Sequence, residues 1–269
     1  MSEFNSVPSI SRAINLYILF HHIGLNYLKV AYLIFVKKIL YTVADFYYRL
    51  RPMKLSTRLD IIKNKVTVHY DHIWDCCCDH GQLGVALLSS LPHSVIHFVD
   101  VVDELMINLE AELDKHAAEI QSRWQVHCMD VSQLSIINDQ KNLIIIAGVG
   151  GELLIELVRS IQQRNKNAEL EFILCPVLHN YRVREELITM GFGLNSETLV
   201  KENKRFYEVM HVSNRALKPL SKTGSEMWNS TDVDHREYLD KTIAHYQRME
   251  VSVDKKNKIS EQYKLLLTS

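Results

Sequence analysis

The residues best suited to chemistry in this 269-residue chain crowd into one run, Asp75-Cys76-Cys77-Cys78-Asp79-His80-Gly81, which holds two carboxylates, an imidazole and three thiols. The run sits where the apolar stretch His72-Ile73-Trp74 ends and an amphipathic pattern from Gln82 begins. That is the place of a first strand-to-helix turn in an α/β nucleotide fold, where such folds hold a cofactor. The phosphate-cradling Gly-x-Gly-x-x-Gly is missing, with Cys77 where its first glycines would cluster, so the expected cofactor offers no pyrophosphate. Asp100 ends the next apolar run, 21 positions after Asp79, where a carboxylate accepts hydrogen bonds from two ribose hydroxyls. The alternative reading of Asp100 is an N-cap for a helix that starts near Asp103. Asp130 follows a third run that ends at Cys128, and three acids at the carboxyl ends of successive strands line the crevice where open α/β sheets bind ligands. Ala147-Gly148-Val149-Gly150-Gly151 closes a fourth run and opens a helix. Glycines there let backbone approach a ligand and leave N–H groups for an acceptor; the alternative is a tight packing turn.

The elements that must position these residues follow from hydrophobic patterning. Beyond Pro52, short apolar runs alternate with longer periodic segments, which predicts parallel strands joined by helices. Leu55 to Asn64 reads as a leading helix with Ser56 as N-cap and Arg58 on its polar side. Strands are expected at Ile73 to Cys77, Val95 to Asp100, Gln125 to Cys128, Leu143 to Ala147 and Phe172 to Cys175. Helices are expected at Gln82 to Ser90, Glu104 to Glu119, Glu152 to Arg164 and Val183 to Met190. Leu194 to Lys201 and Arg205 to Val212, joined by Glu202-Asn203-Lys204, give a β-hairpin signal. A doubly wound sheet closed by an antiparallel hairpin is the Rossmann-like layout of class I S-adenosylmethionine-dependent methyltransferases, in which an acid or amide at the position of Asp130 meets the adenine amino group. An NAD-binding domain lacks that hairpin and carries the glycine fingerprint absent here. From Pro219 the chain turns polar and helical, and Asp232 to Glu250 with Lys255 to Leu267 fits an α-helical coiled-coil hairpin. It reads either as a cap on the domain or as an arm that grips a large substrate.

Composition bounds the alternatives. At 47% hydrophobic and 23% charged residues the chain is globular. Of 31 basic and 32 acidic residues, the first 52 positions hold six and two, leaving 25 basic against 30 acidic beyond. That balance argues against a generic DNA-coating protein, so a nucleic-acid substrate needs a local basic face. Five cysteines, three consecutive and none in Cys-x-x-Cys spacing, read as reduced thiols of a cytoplasmic protein; no metal site is expected. The apolar stretch Ile14 to Val36 is long enough to span a membrane but contains Lys29 and Asn26. Three readings stay open for residues 1–52: an upstream extension ahead of a functional start at Met53, a membrane-surface or anchor helix, or a helical cap. Membrane contact is expected only if residues 14–36 form a genuine helix.

Leu55-Ser56-x-Arg58-Leu59, Asp75-x-x-x-Asp79-His80, Ala147-Gly148-Val149-Gly150-Gly151, Leu174-Cys175-Pro176 and Phe206-Tyr207-Glu208-Val209 together resemble, in order and spacing, the bacterial tRNA (adenine-N1)-methyltransferase family that modifies adenine 22. The resemblance runs from Met53 to the end. It implies a methyltransferase domain over residues 53–217, a helical domain over 218–269, S-adenosyl-L-methionine as cofactor and tRNA as partner. It implies Asp79 as the catalytic group, with the cofactor held by Asp75, Cys77, His80 and Gly81 in the first turn, by Asp100 and Val101 in the second, by Asp130 and Val131 in the third, and by Ala147 and Gly148. Arg58, Gly150, Asn180 and Tyr207 are the implied substrate-binding residues. Other acceptors, another RNA position or a small molecule, stay open, as does a non-catalytic RNA-binding homologue. The chain departs from the family at Cys77, where glycine is usual, at Cys175, where glutamine is usual, and in the lengthened Val177-Leu178-His179-Asn180 segment. A side chain at position 77 is expected to crowd the methionine part of the cofactor.

Overall fold

The computed structural model describes residues 55–250 and 258–267, which fall within one compact unit, Met53–Ser269. The N-terminal extension, the stretch 14–36 and the start at Met53 lie outside the described residues.

Helix α1 (Thr57–Asn64) opens the unit, and Ser56 caps it by accepting from the Leu59 N–H at 3.3 Å. There follow β1 (His72–Cys76), α2 (Gln82–Ser90), β2 (Val95–Asp100), α3 (Asp103–Ala117), β3 (Trp124–Cys128), β4 (Asn142–Ala147), α4 (Gly151–Arg164), β5 (Glu171–Cys175), α5 (Asn180–Thr189), β6 (Gly193–Glu202) and β7 (Arg205–Ser213). They build one seven-stranded sheet in the order β3-β2-β1-β4-β5-β7-β6. Strands β1 to β5 are parallel, and β7 runs antiparallel to both β5 and β6, as the hairpin signal predicts.

The central strands are buried on both faces, so they are continuous apolar runs rather than alternating ones: Leu143, Ile144, Ile145 and Ile146 are all fully buried. Helix α4 covers one face with Leu154, Ile155, Val158 and Ile161, the i, i+1, i+4, i+7 stripe of an amphipathic helix. On β1 and β2, Trp74 stacks on His97 at 3.8 Å, and His97 bonds His72 at 2.9 Å and His127 at 3.0 Å. Burial pushes His97 down to about 3, so the central ring of this chain stays neutral.

A helical hairpin closes the chain. Helix α6 (Val233–Met249) is capped by Asp232, whose side chain accepts from the Asp234 and His235 N–H groups. Helix α7 (Ile259–Lys264) runs on into a 3₁₀ turn at Leu265–Leu267; the first part of the expected second helix, residues 255–257, lies outside the described residues. The hairpin packs Leu239, Ile243 and Tyr263 against Tyr181 of α5. Among the described residues no helix is long and apolar enough to cross a membrane.

Candidate active site

The first turn shows why its sequence is unusual. Strand β1 ends at Cys76, one residue earlier than the apolar pattern suggests, because Cys77 adopts φ 56° and cannot continue an extended ladder. Asp79 at φ 53° and Gly81 at φ 67° bend the chain twice more before α2. The turn is held by backbone bonds from Cys78 N–H to the Val99 carbonyl and from Gly81 N–H to the Cys78 carbonyl. It is also held by the carboxylate of Asp100, which accepts from Asp79 N–H at 3.0 Å and Val102 N–H at 3.2 Å. The N-cap reading of Asp100 does not hold, because Val102 takes that position, although Asp100 braces the entrance of α3 through the Val102 N–H; its place is the carboxyl end of β2.

Each turn residue has a distinct setting. Asp79 projects a 71% exposed side chain into open space, 3.6 Å from the exposed His80 ring. Cys77 is half-buried, and burial, reinforced by Asp100, Asp75 and Asp130, pushes its thiol up to about 11. The thiol is therefore neutral at physiological pH, with three carboxylates acting on it. Among the described residues no group of His, Cys, Asp or Glu is placed to hold a metal ion.

Asp75 is 4% exposed, and its Oδ2 accepts from Gly84 N–H at 2.8 Å. It lies beneath the turn and fastens α2 rather than standing open in the crevice. Gly84 is a residue that motif reading missed; a Cβ there would lie 2.3 Å from the Phe98 ring and 3.0 Å from Asp75. The signal was available as the only helical glycine of Gln82 to Ser90, nine residues after an acid. Burial raises the Asp75 carboxyl to about 7, with the Gly84 N–H opposing and Asp100 adding to the rise. Because the folded value lies above the unfolded one, stability from this group is complete below pH about 4 and is lost as pH rises through about 7. Asp75→Asn keeps an acceptor for Gly84 but carries no charge, and half of its benefit is offset by the two amide donors it brings into a buried place. We expect it to add about 2 kcal/mol at pH 8 and, where the carboxyl is already protonated and only the cost of the extra donors remains, to lose about 2 kcal/mol at pH 4, read by urea unfolding at both values; a difference between the two proteins that is the same at both pH values would disprove the assignment.

At the third strand, Asp130 is exposed and spends one oxygen on Ser132 N–H at 2.8 Å. Val131 turns its side chain into the core, which leaves its backbone as the part that can meet a ligand. Val101 is 62% exposed beside Asp100, an apolar surface at the mouth of the crevice.

A second group gathers at β4, β5 and β7. The Arg58 guanidinium lies 4.9 Å from the Tyr207 ring centroid, a cation–π contact, and its Nε is buried without a partner. Gly148, at φ 83°, passes under it: a Cβ there would lie 3.5 Å from Arg58 Nη1. Cys175, buried beside Arg58, is pushed up to about 12 by burial against the pull of that charge. Gly151 requires its small size, since a Cβ would meet the Leu178 carbonyl at 2.6 Å, whereas Gly150 has open space around it. The glycine run therefore contains two structural glycines and one that leaves room.

Asn180 shares a cavity with Tyr207, but its amide is engaged by the C-terminal hairpin. Helix α5 starts three residues before the apolar pattern does, and Asn180 is its first residue, donating from Nδ2 to the Tyr238 hydroxyl of α6 at 3.0 Å. That hydroxyl donates to Glu208 Oε1 at 2.6 Å, and Glu208 Oε2 meets Arg184 Nε at 2.7 Å. Glu208, conspicuous in the sequence as part of the Phe206-Tyr207-Glu208-Val209 run, thus ties the sheet to the C-terminal helical hairpin. Arg184 and Glu197, its buried companions, carried no sequence signal.

The sequence matches the family model for a methyltransferase domain over residues 55–210, more than half of the chain. The chain belongs to this methyltransferase family. The fold of the methyltransferase domain recurs in solved structures. It is similar to the B. subtilis M1A22 tRNA methyltransferase TrmK, with 18% identity, TM-score 0.60, and 80% of this chain and 94% of that one covered. Similar figures hold for an uncharacterized protein of Listeria monocytogenes (18% identity, TM-score 0.63, 80% and 94% covered). They hold as well for M. capricolum TrmK in complex with S-adenosyl-homocysteine (14% identity, TM-score 0.58, 80% and 95% covered). No curated protein sequence matches the chain. The methyltransferase domain thus has the class I Rossmann-like fold.

Proposed function

We propose that this chain transfers a methyl group from S-adenosylmethionine to N1 of an adenine in tRNA, at position 22, and works in the cytoplasm. The observation that carries the reading is the exposed Asp79 carboxylate, held at the mouth of a class I crevice by its own backbone bond to Asp100. Similarity to structures named as the M1A22 tRNA methyltransferase TrmK of B. subtilis and a putative tRNA (m1A22) methyltransferase of Streptococcus pneumoniae supports the acceptor.

The residues present fit the cofactor. Each Asp100 oxygen holds one backbone donor and keeps a lone pair for a ribose hydroxyl, while exposed Val101 offers an apolar face to adenine and Asp130 keeps one oxygen for its amino group. When bound, S-adenosylmethionine supplies an electrophilic methyl group. Methylation at N1 makes the adenine ring cationic unless N6 loses a proton, and the Asp79 carboxylate serves to stabilise that charge or take the proton. Arg58, fixed on Tyr207, and His80 beside Asp79 serve to hold the base or its phosphate. N1 lies on the Watson–Crick edge, so the adenine must first leave its pairing. The C-terminal segment 218–269 serves as the arm that meets the RNA. The test is nucleoside mass spectrometry of tRNA incubated with the protein and labelled cofactor; absence of label in 1-methyladenosine would overturn the acceptor.

The positive φ of Cys77 favours a second reading, a homologue that binds RNA with reduced turnover. A non-glycine residue in the left-handed region costs about 1–2 kcal/mol, and its thiol occupies space among the three carboxylates. Cys77→Gly should stabilise the protein by about 1 kcal/mol and tighten S-adenosylmethionine binding about tenfold. Thermal melts and isothermal titration measure both, and an unchanged affinity would place the thiol outside the cofactor's path.

A further inference from the structure

Beside the Arg58 group, with which it shares Tyr207, lies a cavity of about 420 Å³ bounded by the β6–β7 turn, the start of α5 and helix α6. None of Asp79, Asp100 or Asp130 lines it, so it is not the cofactor's place. We infer that it is a second nucleotide site, taking one unstacked base of the RNA next to the target adenine; this rests on the RNA-methyltransferase reading above.

Three independent features of the cavity point to a base with its phosphate. Its walls are aromatic: Phe206, Tyr207, Tyr238 and Tyr246 line it, the type of side chain on which bases stack whatever their sequence. Its rim is basic, although the chain beyond residue 52 carries an acidic excess. Lys204 and Arg205, both exposed at the hairpin turn, have no ion-pair partner among the described residues, which leaves them free for phosphate. The third feature is an acceptor with a fixed direction. Asn180 lines the cavity, and its Oδ1 is buried without a hydrogen-bond partner. The amide has no reason to flip, because the Tyr238 hydroxyl gives its proton to Glu208 and must receive one from Asn180 Nδ2. An unpaired acceptor of this kind is costly until a donor arrives. An exocyclic amino group or ring N–H of a base is the kind of donor it lacks. A volume of this size lies within the range of small-ligand sites. The α5 N-terminus, whose N-cap His179 makes no side-chain capping bond, adds positive potential at the same place.

The experiment uses the full chain and an unmodified tRNA transcript, with binding followed by fluorescence anisotropy and cofactor binding by isothermal titration. Thr242→Trp fills the cavity from α6 without removing a charge, and is expected to raise the tRNA Kd about tenfold while leaving cofactor affinity unchanged. Lys204→Ala with Arg205→Ala, both on the surface and harmless to folding, is expected to lower the slope of log K against log salt by about two. Wild-type tRNA binding that both variants reproduce in affinity and salt slope overturns the second site alone. Wild-type protein that binds no tRNA overturns the site together with the reading beneath it.

Discussion

Asp79→Asn should lower kcat for methyl transfer by about 10²–10⁴-fold, the range for loss of a positioned acid–base group, while S-adenosylmethionine binds as before. The structure makes this an unusually clean substitution. The Asp79 side chain is exposed, and its contact is the 3.6 Å approach to His80. What fastens the turn is the backbone N–H of residue 79 on Asp100, which asparagine retains. The φ of 53° is one that asparagine tolerates as well as aspartate does, so no strain is introduced. Stability should therefore stay within about 0.5 kcal/mol, as for other surface changes. Single-turnover kinetics with saturating cofactor and tRNA separate chemistry from binding. A variant that keeps its kcat would remove Asp79 from the chemistry and leave it as a turn residue.

The sheet was legible because its strands are buried on both faces. Leu143 to Ala147 and Phe172 to Cys175 are unbroken apolar runs, and the structure extends each by one polar residue, Asn142 and Glu171. The hairpin was legible for a different reason: two apolar runs with a polar three-residue break leave little else to form. Hydrophobic pattern, however, says nothing about the sign of φ. It carried β1 through Cys77 and started α5 at Val183, missing the left-handed His179 that launches the helix at Asn180. The acids were legible by their place at strand ends, but not by their partners. Asp75 and Asp100 look alike in sequence, yet one is sealed against Gly84 and the other holds two backbone N–H groups at the crevice. Contacts across long stretches of chain are the least legible of all. Arg184, in a helix with a polar pattern, reads as a surface residue, and only folding brings it between strands β6 and β7.

Arg184→Met should cost about 3–5 kcal/mol near neutral pH, the range for breaking a buried ion pair by removing one partner. The Arg184, Glu197 and Glu208 side chains are all 0% exposed, with Arg184 Nη2 2.7 Å from Glu197 and Nε 2.7 Å from Glu208. Nη1 also donates to the Ser221 carbonyl at 3.0 Å. Methionine fills much of the same volume, so the loss reports charge rather than a cavity. The pH dependence distinguishes the two. Burial acts to raise the Glu197 carboxyl, but the Arg184 charge and the Glu226 and Ser225 N–H groups outweigh it and hold the carboxyl below its ordinary value. With a lowered folded value, the wild type gains stability from this group above pH about 4.5 and loses it as pH falls through the folded value. Without Arg184, two buried carboxylates repel each other and take up protons more readily, so the variant suffers most at high pH. The difference between the two proteins, measured by urea unfolding, should shrink from pH 8 to pH 5. A deficit that is the same at both values would assign the loss to packing. Glu208 also receives the Tyr238 hydroxyl, whose oxygen in turn accepts from Asn180. Loosening Arg184 should therefore loosen the C-terminal hairpin as well, and on the function proposed above tRNA affinity should fall with stability while cofactor affinity, assigned there to Asp100 on β2, holds.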